Sequence, residues 1–229
     1  MAVVAFIPVR GGSKSIPGKN IKNFNGKPLL YWSALAAQEN REVSQIVIAT
    51  DDETIAETAR GFQFSKLIVY NRIPENANDT ASTESVMLEY LECSNHSDTD
   101  LFILIQATNP FITSTDLTKG LSLIENNPTA SVISCATFKR FLWNRNGTPL
   151  NYDYRARPRR QDFPGILLEN GSFYINSVSN IKSSKNRLSE PVLICEMPEF
   201  TSFEIDEPED WIICEKIHSK NILSNIEKP

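Results

Sequence analysis

Short runs of consecutive apolar residues alternate along the first half of the chain with stretches whose hydrophobic positions return at helical spacing. VVAFIPV precedes a helical pattern over 28–39, QIVIAT one over 52–60, KLIVY one over 81–92, and DLFILIQ one over 114–126. The runs are rich in β-branched residues and nearly unbroken in apolar character, as strands are when both faces of a sheet are covered. This alternation predicts a mostly parallel sheet with crossover helices on both faces, a Rossmann-like α/β architecture. A fifth run, Ser131 to Cys135, continues the sheet.

Polar segments follow the C-terminal ends of these strands, the edge at which such sheets bind ligands. They are Arg10 to Asn20, Thr50-Asp51-Asp52, Asn71-Arg72 and Gln106 to Pro110. Asp51-Asp52 fits a helix N-cap with favourable first-turn charge. The segment IPVRGGSKSIPGKN carries three cations, Arg10, Lys14 and Lys19, among paired glycines. Gly11 and Gly12 are expected to adopt angles that Cβ forbids and to turn their N–H groups toward a ligand, while the cations offset phosphate charge. Pro17 and Gly18 keep Lys19 and Asn20 on irregular backbone. The glycine spacing fits neither the Walker loop nor the dinucleotide fingerprint, so another nucleotide-binding loop is expected; a basic surface turn is the plainer reading.

Length, charge and cysteines narrow the class. The 229 residues, 41% of them hydrophobic, suffice for one principal domain over 1–229. A net charge of −5 argues against general nucleic-acid binding, so local basic clusters stand out as site features. Cys93, Cys135, Cys195 and Cys214 lack metal-ligand spacing and nothing like a secretory segment precedes the first strand, so reduced core thiols in a cytoplasmic protein are expected. No apolar run approaches the length of a membrane span.

The alternation breaks between about Thr137 and Gln161, where Phe138, Lys139, Arg140, Phe141, Trp143, Tyr152 and Tyr154 precede Arg155, Arg157, Arg159 and Arg160. Such an aromatic, basic insert is expected to be a dimerisation arm. On extended backbone Arg155, Arg157 and Arg159 share one face and can clasp a carboxylate; an interface salt-bridge network and an RNA-binding patch are the rival readings. Further on, LLENGSFYI reads as a tight turn entering a strand, with Asn170-Gly171 supplying positive φ. Glu204 and Asp206, two apart, point the same way on extended backbone toward a shared cation, with magnesium the hard cation such oxygens suit; a solvated acidic strand end is the alternative. Pro208 and Asp210 open a helix whose apolar face begins at Trp211.

Together these blocks resemble the acylneuraminate cytidylyltransferases over nearly the whole chain. IPVRGGSKSIPGKN resembles the family's nucleotide loop, and Asn78 to Ser82 with Arg72 its base-reading segment. QATNPF resembles its Gln-Pro-Thr-Ser-Pro block, and RPRRQDFPGILLENGSFYI is similar to the animal-type enzymes. FEIDEPEDW resembles the metal segment, with Glu204 where Asp is usual; Ala107-Thr108-Asn109 replaces the commoner Pro-Thr-Ser. The resemblance implies a nucleotide-diphospho-sugar transferase fold that couples CTP to a free nonulosonic acid, releasing pyrophosphate.

By similarity, Arg10, Lys19 and Asp206 are catalytic, and Gly11, Gly12, Ser13, Lys14, Asn20, Arg72 and Ser82 bind the nucleotide. Gln106 contacts the sugar acid, and Lys139 and Arg160 reach its carboxylate from a partner subunit. Asp206, with Glu204, holds Mg²⁺, whose bound water deprotonates the anomeric hydroxyl. A homodimer, or a dimer of such dimers, follows, with no nucleic acid and no membrane as partner. A Kdo-activating enzyme and a non-catalytic nucleotide sensor are the alternatives. A glycosyltransferase is disfavoured, since its acid pair normally follows an early strand.

Overall fold

The computed structural model describes residues 1–76 and 81–224. Its strands are β1 (Val3–Pro8), β2 (Asn23–Phe24), β3 (Lys27–Pro28), β4 (Gln45–Thr50), β5 (Leu67–Asn71), β6 (Leu101–Ile105), β7 (Ser131–Phe138), β8 (Ile166–Ser177) and β9 (Val192–Met197). Its helices are α1 (Leu29–Glu39), α2 (Glu53–Arg60), α3 (Thr83–Cys93), α4 (Ser114–Asn126), α5 (Val178–Ser184) and α6 (Pro208–His218). The four helical patterns read from the sequence thus become α1 to α4, each with its boundaries displaced by two residues or fewer.

The seven-stranded sheet has the order β5-β4-β1-β6-β8-β7-β9, and β2 pairs with β3 in a separate small hairpin. β1 lies parallel to β4 and β6, β4 to β5, and β7 to β9. β8 alone in the large sheet runs antiparallel, wedged between β6 and β7. The reading of LLENGSFYI as a turn entering a strand is corrected here: Asn170 and Gly171 lie inside β8, and Gly171 takes φ +61°. The pairing of β7 with β8 shifts register there, between Ile133 and Cys135, so the Asn-Gly pair makes a bulge. Asn170 is fully buried, and its side chain bonds core polar groups in place of the partners a turn would find in solvent.

Two apolar layers sandwich the sheet. Leu30, Ile55, Leu117 and Leu121 of α1, α2 and α4 pack on one face, and Val86, Met87, Tyr90, Val178 and Ile181 of α3 and α5 on the other. A third cluster joins the β2–β3 hairpin to α6 through Phe24, Trp32, Phe111, Ile205 and Trp211.

His218 sits at the heart of that third cluster, fully buried beside Trp32, Phe24 and Phe111. The Asn25 amide donates to its Nδ1 at 3.2 Å, leaving the proton on Nε2, which has no hydrogen-bond partner. Burial pushes its pKa from 6.5 down to about 4. The native state therefore keeps His218 neutral while the unfolded chain takes up a proton, so stability falls as pH drops through that window. Chemical denaturation at pH 7 and pH 4.5 should show wild type losing about 2–3 kcal/mol more than His218→Phe between the two. Equal losses in both proteins would contradict the assignment.

Candidate active site

At the C-terminal edge of β1, β5 and β6 lies a cavity of about 400 Å³. Its wall is built from the loop after β1, the residue after β5, the start of α3 and the segment after β6. Arg10, Ser13, Lys19, Asn20, Arg72, Ser82 and Gln106 all line it. Residues far apart in sequence therefore converge on one space because parallel strands all deliver their C-terminal ends to the same edge. Asn78 to Thr80 of the expected base-reading segment lie outside the described residues.

The loop after β1 is held by its own polar atoms. Asn20, buried, donates from Nδ2 to the Arg10 carbonyl at 3.1 Å, closing the loop across ten residues. Gly18 takes φ +63° and starts the 3₁₀ turn Lys19–Ile21, which presents Lys19 to the cavity. The expectation for Gly11 and Gly12 is corrected: neither has positive φ, and the Gly11 N–H donates to Asp51 Oδ1 at 3.3 Å. Gly11 is needed for close approach, since a Cβ there would stand 2.4 Å from Asp52 Oδ2. Asp52 cannot retreat, because it caps α2 by accepting from the Ile55 N–H. Lys14 is exposed on the same loop, outside the cavity lining.

Two further walls are equally fixed. Arg72 donates from Nε and Nη2 to the Ala49 carbonyl at 3.1 and 2.9 Å. Burial lowers its pKa, opposed by the charges of Asp51 and Glu89. Ser82 caps α3, its Oγ accepting from the Ser85 N–H at 3.0 Å, which leaves the hydroxyl proton able to meet a ligand. The Tyr174 hydroxyl donates its one proton in a short bond to Glu169, and Gln106 Oε1 lies 3.3 Å from the same hydroxyl oxygen.

The carboxylates approach from the opposite end of the chain. Ile205 is fully buried in the third apolar cluster, while Glu204 on one side is half-buried and Asp206 on the other is exposed. Burial of that one isoleucine, worth about 1.5–3 kcal/mol, anchors both acids at the sheet edge. The Ile205 N–H donates to the Thr108 carbonyl at 2.9 Å, and Lys19 Nζ donates to the Ile205 carbonyl at 2.7 Å and to Asp206 Oδ1 at 3.3 Å. Glu204 lies against Gly171, where an added Cβ would stand 2.6 Å from Oε2. Its pKa is pushed up to about 7, first by burial and then by Asp206 and Glu169, against the pull of Lys19. Among the described residues no group of three His, Cys, Asp or Glu gathers as a metal cage. Two neighbouring carboxylates beside a cavity lined by cations nevertheless fit Mg²⁺, which takes one or two carboxylates and completes its shell with water and phosphate oxygens.

The family model for cytidylyltransferases matches residues 4–209. The chain belongs to the cytidylyltransferase family. It is 33% identical over 219 residues to N-acylneuraminate cytidylyltransferase B of Danio rerio, a match that covers 93% of this chain and 50% of that protein. It is 30% identical to the CMP-N,N'-diacetyllegionaminic acid synthase of Legionella pneumophila, covering 96% and 98%. The chain thus spans about half the length of the animal relative and nearly all of the bacterial one. The solved structure of a CMP-2-keto-3-deoxy-manno-octonic acid synthetase with CTP superposes with a TM-score of 0.70 at 20% identity, covering 97% and 100%. That likeness establishes the nucleotide-sugar type of fold.

The arm over 137–161 differs from what its sequence suggests. Arg155, Arg157 and Arg159 do not share a face, because Tyr154–Ala156 forms a 3₁₀ turn in place of extended backbone. Arg155 stacks on Tyr154, Arg157 on Phe141, and Arg159 pairs with Asp162 at 2.6 Å. Arg160 pairs with Glu199 at 2.7 Å and lines a separate cleft of about 610 Å³, and Lys139 packs beside Gly165. Neither Lys139 nor Arg160 lines the cavity of its own chain. Trp143, Leu150 and Tyr154 stand exposed on the arm.

Sequence reasoning missed a buried polar network that braces the site. Asn109, fully buried, donates to the carbonyls of Asn170 at 2.6 Å and Thr201 at 2.8 Å, and accepts from the Phe111 N–H at 3.2 Å. Asn170 in turn accepts from Ser134 Oγ at 2.7 Å and donates to Thr201 Oγ1 at 2.9 Å. Asn109 therefore ties the segment after β6 to the β8 bulge and to the turn leading into Glu204. Its signal was the departure from the commoner Pro-Thr-Ser pattern, and the difference serves the scaffold.

Proposed function

We propose that this chain transfers the cytidylyl group of CTP to the anomeric hydroxyl of a nonulosonic acid, giving the CMP-sugar acid and pyrophosphate. One observation carries this reading: Arg10, Lys19 and Arg72 line a single cavity, and Lys19 holds the acidic segment beside it through the Ile205 carbonyl and Asp206. In the reaction the anomeric oxygen bonds to the α-phosphorus, the bond from that phosphorus to the bridging oxygen breaks, and pyrophosphate leaves with the electron pair. Negative charge builds on the non-bridging and leaving oxygens, where Arg10 and Lys19 offset it. Arg72 and Ser82 meet the nucleoside, and Ser13 and Asn20 hold the phosphate loop in shape. Gln106, oriented by Tyr174, faces the sugar acid. Glu204 and Asp206 would hold Mg²⁺, which when bound supplies Lewis-acid neutralisation of phosphate charge. No nucleophilic side chain is required.

The names of the relatives support a nine-carbon acid of the neuraminate or legionaminate class as acceptor, with KDN and pseudaminate as close analogues. The exposed Trp143, Leu150 and Tyr154 support a homodimer through the 137–161 arm, with Lys139 and Arg160 meeting the acid's carboxylate in the partner's cavity. All four cysteines are free thiols and, among the described residues, no helix is long and apolar enough to cross a membrane, which agrees with a reducing cytoplasm. Pyrophosphate release with each NTP against these acids and Kdo, with and without magnesium, tests the proposal. Magnesium-dependent release confined to CTP and one nonulosonic acid is expected. Release with Kdo alone would reassign the acceptor, and CTP binding without release under any condition would make the protein a sensor.

A further inference from the structure

Behind the Arg72 wall lies a carboxylate that touches neither the cavity nor solvent. Glu89 of α3 is buried, three residues beyond Val86, which lines the cavity on the same helical side. Its Oε1 accepts from the Tyr70 hydroxyl and from the Ile73 N–H, both at 2.8 Å, and its Oε2 accepts from Asn76 Nδ2 at 2.7 Å. Those three donors lie on β5 and on the segment leaving it, on either side of Arg72. A buried anion is costly unless it is both hydrogen-bonded and faced by positive charge, and the nearby charge that acts with it is that of Arg72. The anion therefore pins the Tyr70 side chain before Arg72 and the Ile73 backbone and Asn76 side chain after it, while its charge favours the guanidinium beside it.

We propose that Glu89 is a positioning residue for the base-reading wall: by clamping Tyr70, Ile73 and Asn76 around Arg72, it sets the preference for cytosine over uracil. This rests on the nucleotide reading of the cavity given above. The two bases differ by an exchange of donor and acceptor at adjacent ring positions, with N3 an acceptor in cytosine and an N–H in uracil. A rigid guanidinium discriminates between them because its donors cannot adapt to a donor, whereas a mobile one tolerates both.

Steady-state kinetics with CTP and UTP on wild type, Glu89→Gln and Tyr70→Phe, with calorimetric CTP binding and thermal melting alongside, tests this. Glu89→Gln keeps the size but offers Asn76 an N–H in place of an acceptor. It should raise KM for CTP about tenfold and cut the CTP-over-UTP ratio of kcat/KM about tenfold, with kcat within about threefold of wild type. Tyr70→Phe, which removes one of the three donors, should move both in the same direction by less. A lower melting temperature with unchanged KM and unchanged base preference in both variants would overturn the inference and leave Glu89 a packing residue. Should wild type bind CTP without turning it over, calorimetry replaces kinetics: a tenfold weaker CTP affinity in Glu89→Gln sustains the inference though the reaction has failed, and equal affinity overturns it.

Discussion

Lys19→Met is expected to lower kcat by about 100-fold or more, the scale seen when one preorganised donor to a developing oxyanion is lost. The size follows from two roles carried by one ammonium. Lys19 lines the cavity, and it also donates to the Ile205 carbonyl and to Asp206, so it pins the acidic segment to the loop. Methionine fills the same space without charge and should leave the melting temperature within a few degrees, because the side chain's packing stem is kept. Arg10→Ala, which removes a cation from the same wall, should fall by tens-fold. Measured by pyrophosphate release at saturating CTP and sugar acid, unchanged turnover in both variants would remove the loop from the chemistry.

Asp206→Asn is expected to cut activity at fixed magnesium by about 100-fold and to shift the half-saturating magnesium concentration upward by at least tenfold. The two acids flanking Ile205 are not equivalent. Asp206 is exposed and paired with Lys19, whereas Glu204 is drawn back against Gly171 and is held near neutrality by burial. Glu204→Gln should therefore cost less, with a smaller magnesium shift, and is expected to keep the fold because the amide matches the carboxyl in size and burial already disfavours the charge. A magnesium titration of both variants decides the matter. Equal, small effects would make the pair a structural strand end.

Much of the fold was legible because parallel strands buried on both faces announce themselves as unbroken apolar runs, and four such runs alternate with helical spacing. Most of the cavity was legible for a related reason: strand ends at one sheet edge must place Arg10, Arg72 and Gln106 near one another whatever the details. Features that depend on tertiary partners were not. Asn170-Gly171 carries the chemistry of a turn, yet the buried hydroxyls of Ser134 and Thr201 satisfy Asn170 within β8, and only the three-dimensional neighbours distinguish the two. The arginines of the arm share a face only on extended backbone, and the aromatic rings around them favour a compact turn with separate stacking partners. Gly11 was expected for its φ and is required for its lack of Cβ, a demand set by Asp52 some forty residues away. Glu89 left no motif, since a lone acid in sequence says nothing of burial, and the departure at Asn109 said nothing of the network it joins.

In the proposed reaction this cavity joins cytidine to a nonulosonic acid through a phosphodiester. Phosphorus NMR of the protein with CTP, magnesium and N-acetylneuraminate or diacetyllegionaminate reads that bond directly. The account predicts that the three CTP resonances give way to one phosphodiester signal and to pyrophosphate in equal molar amounts. Pyrophosphate accompanied by free CMP from the outset, or CTP left intact with every acid while it remains bound, would contradict it.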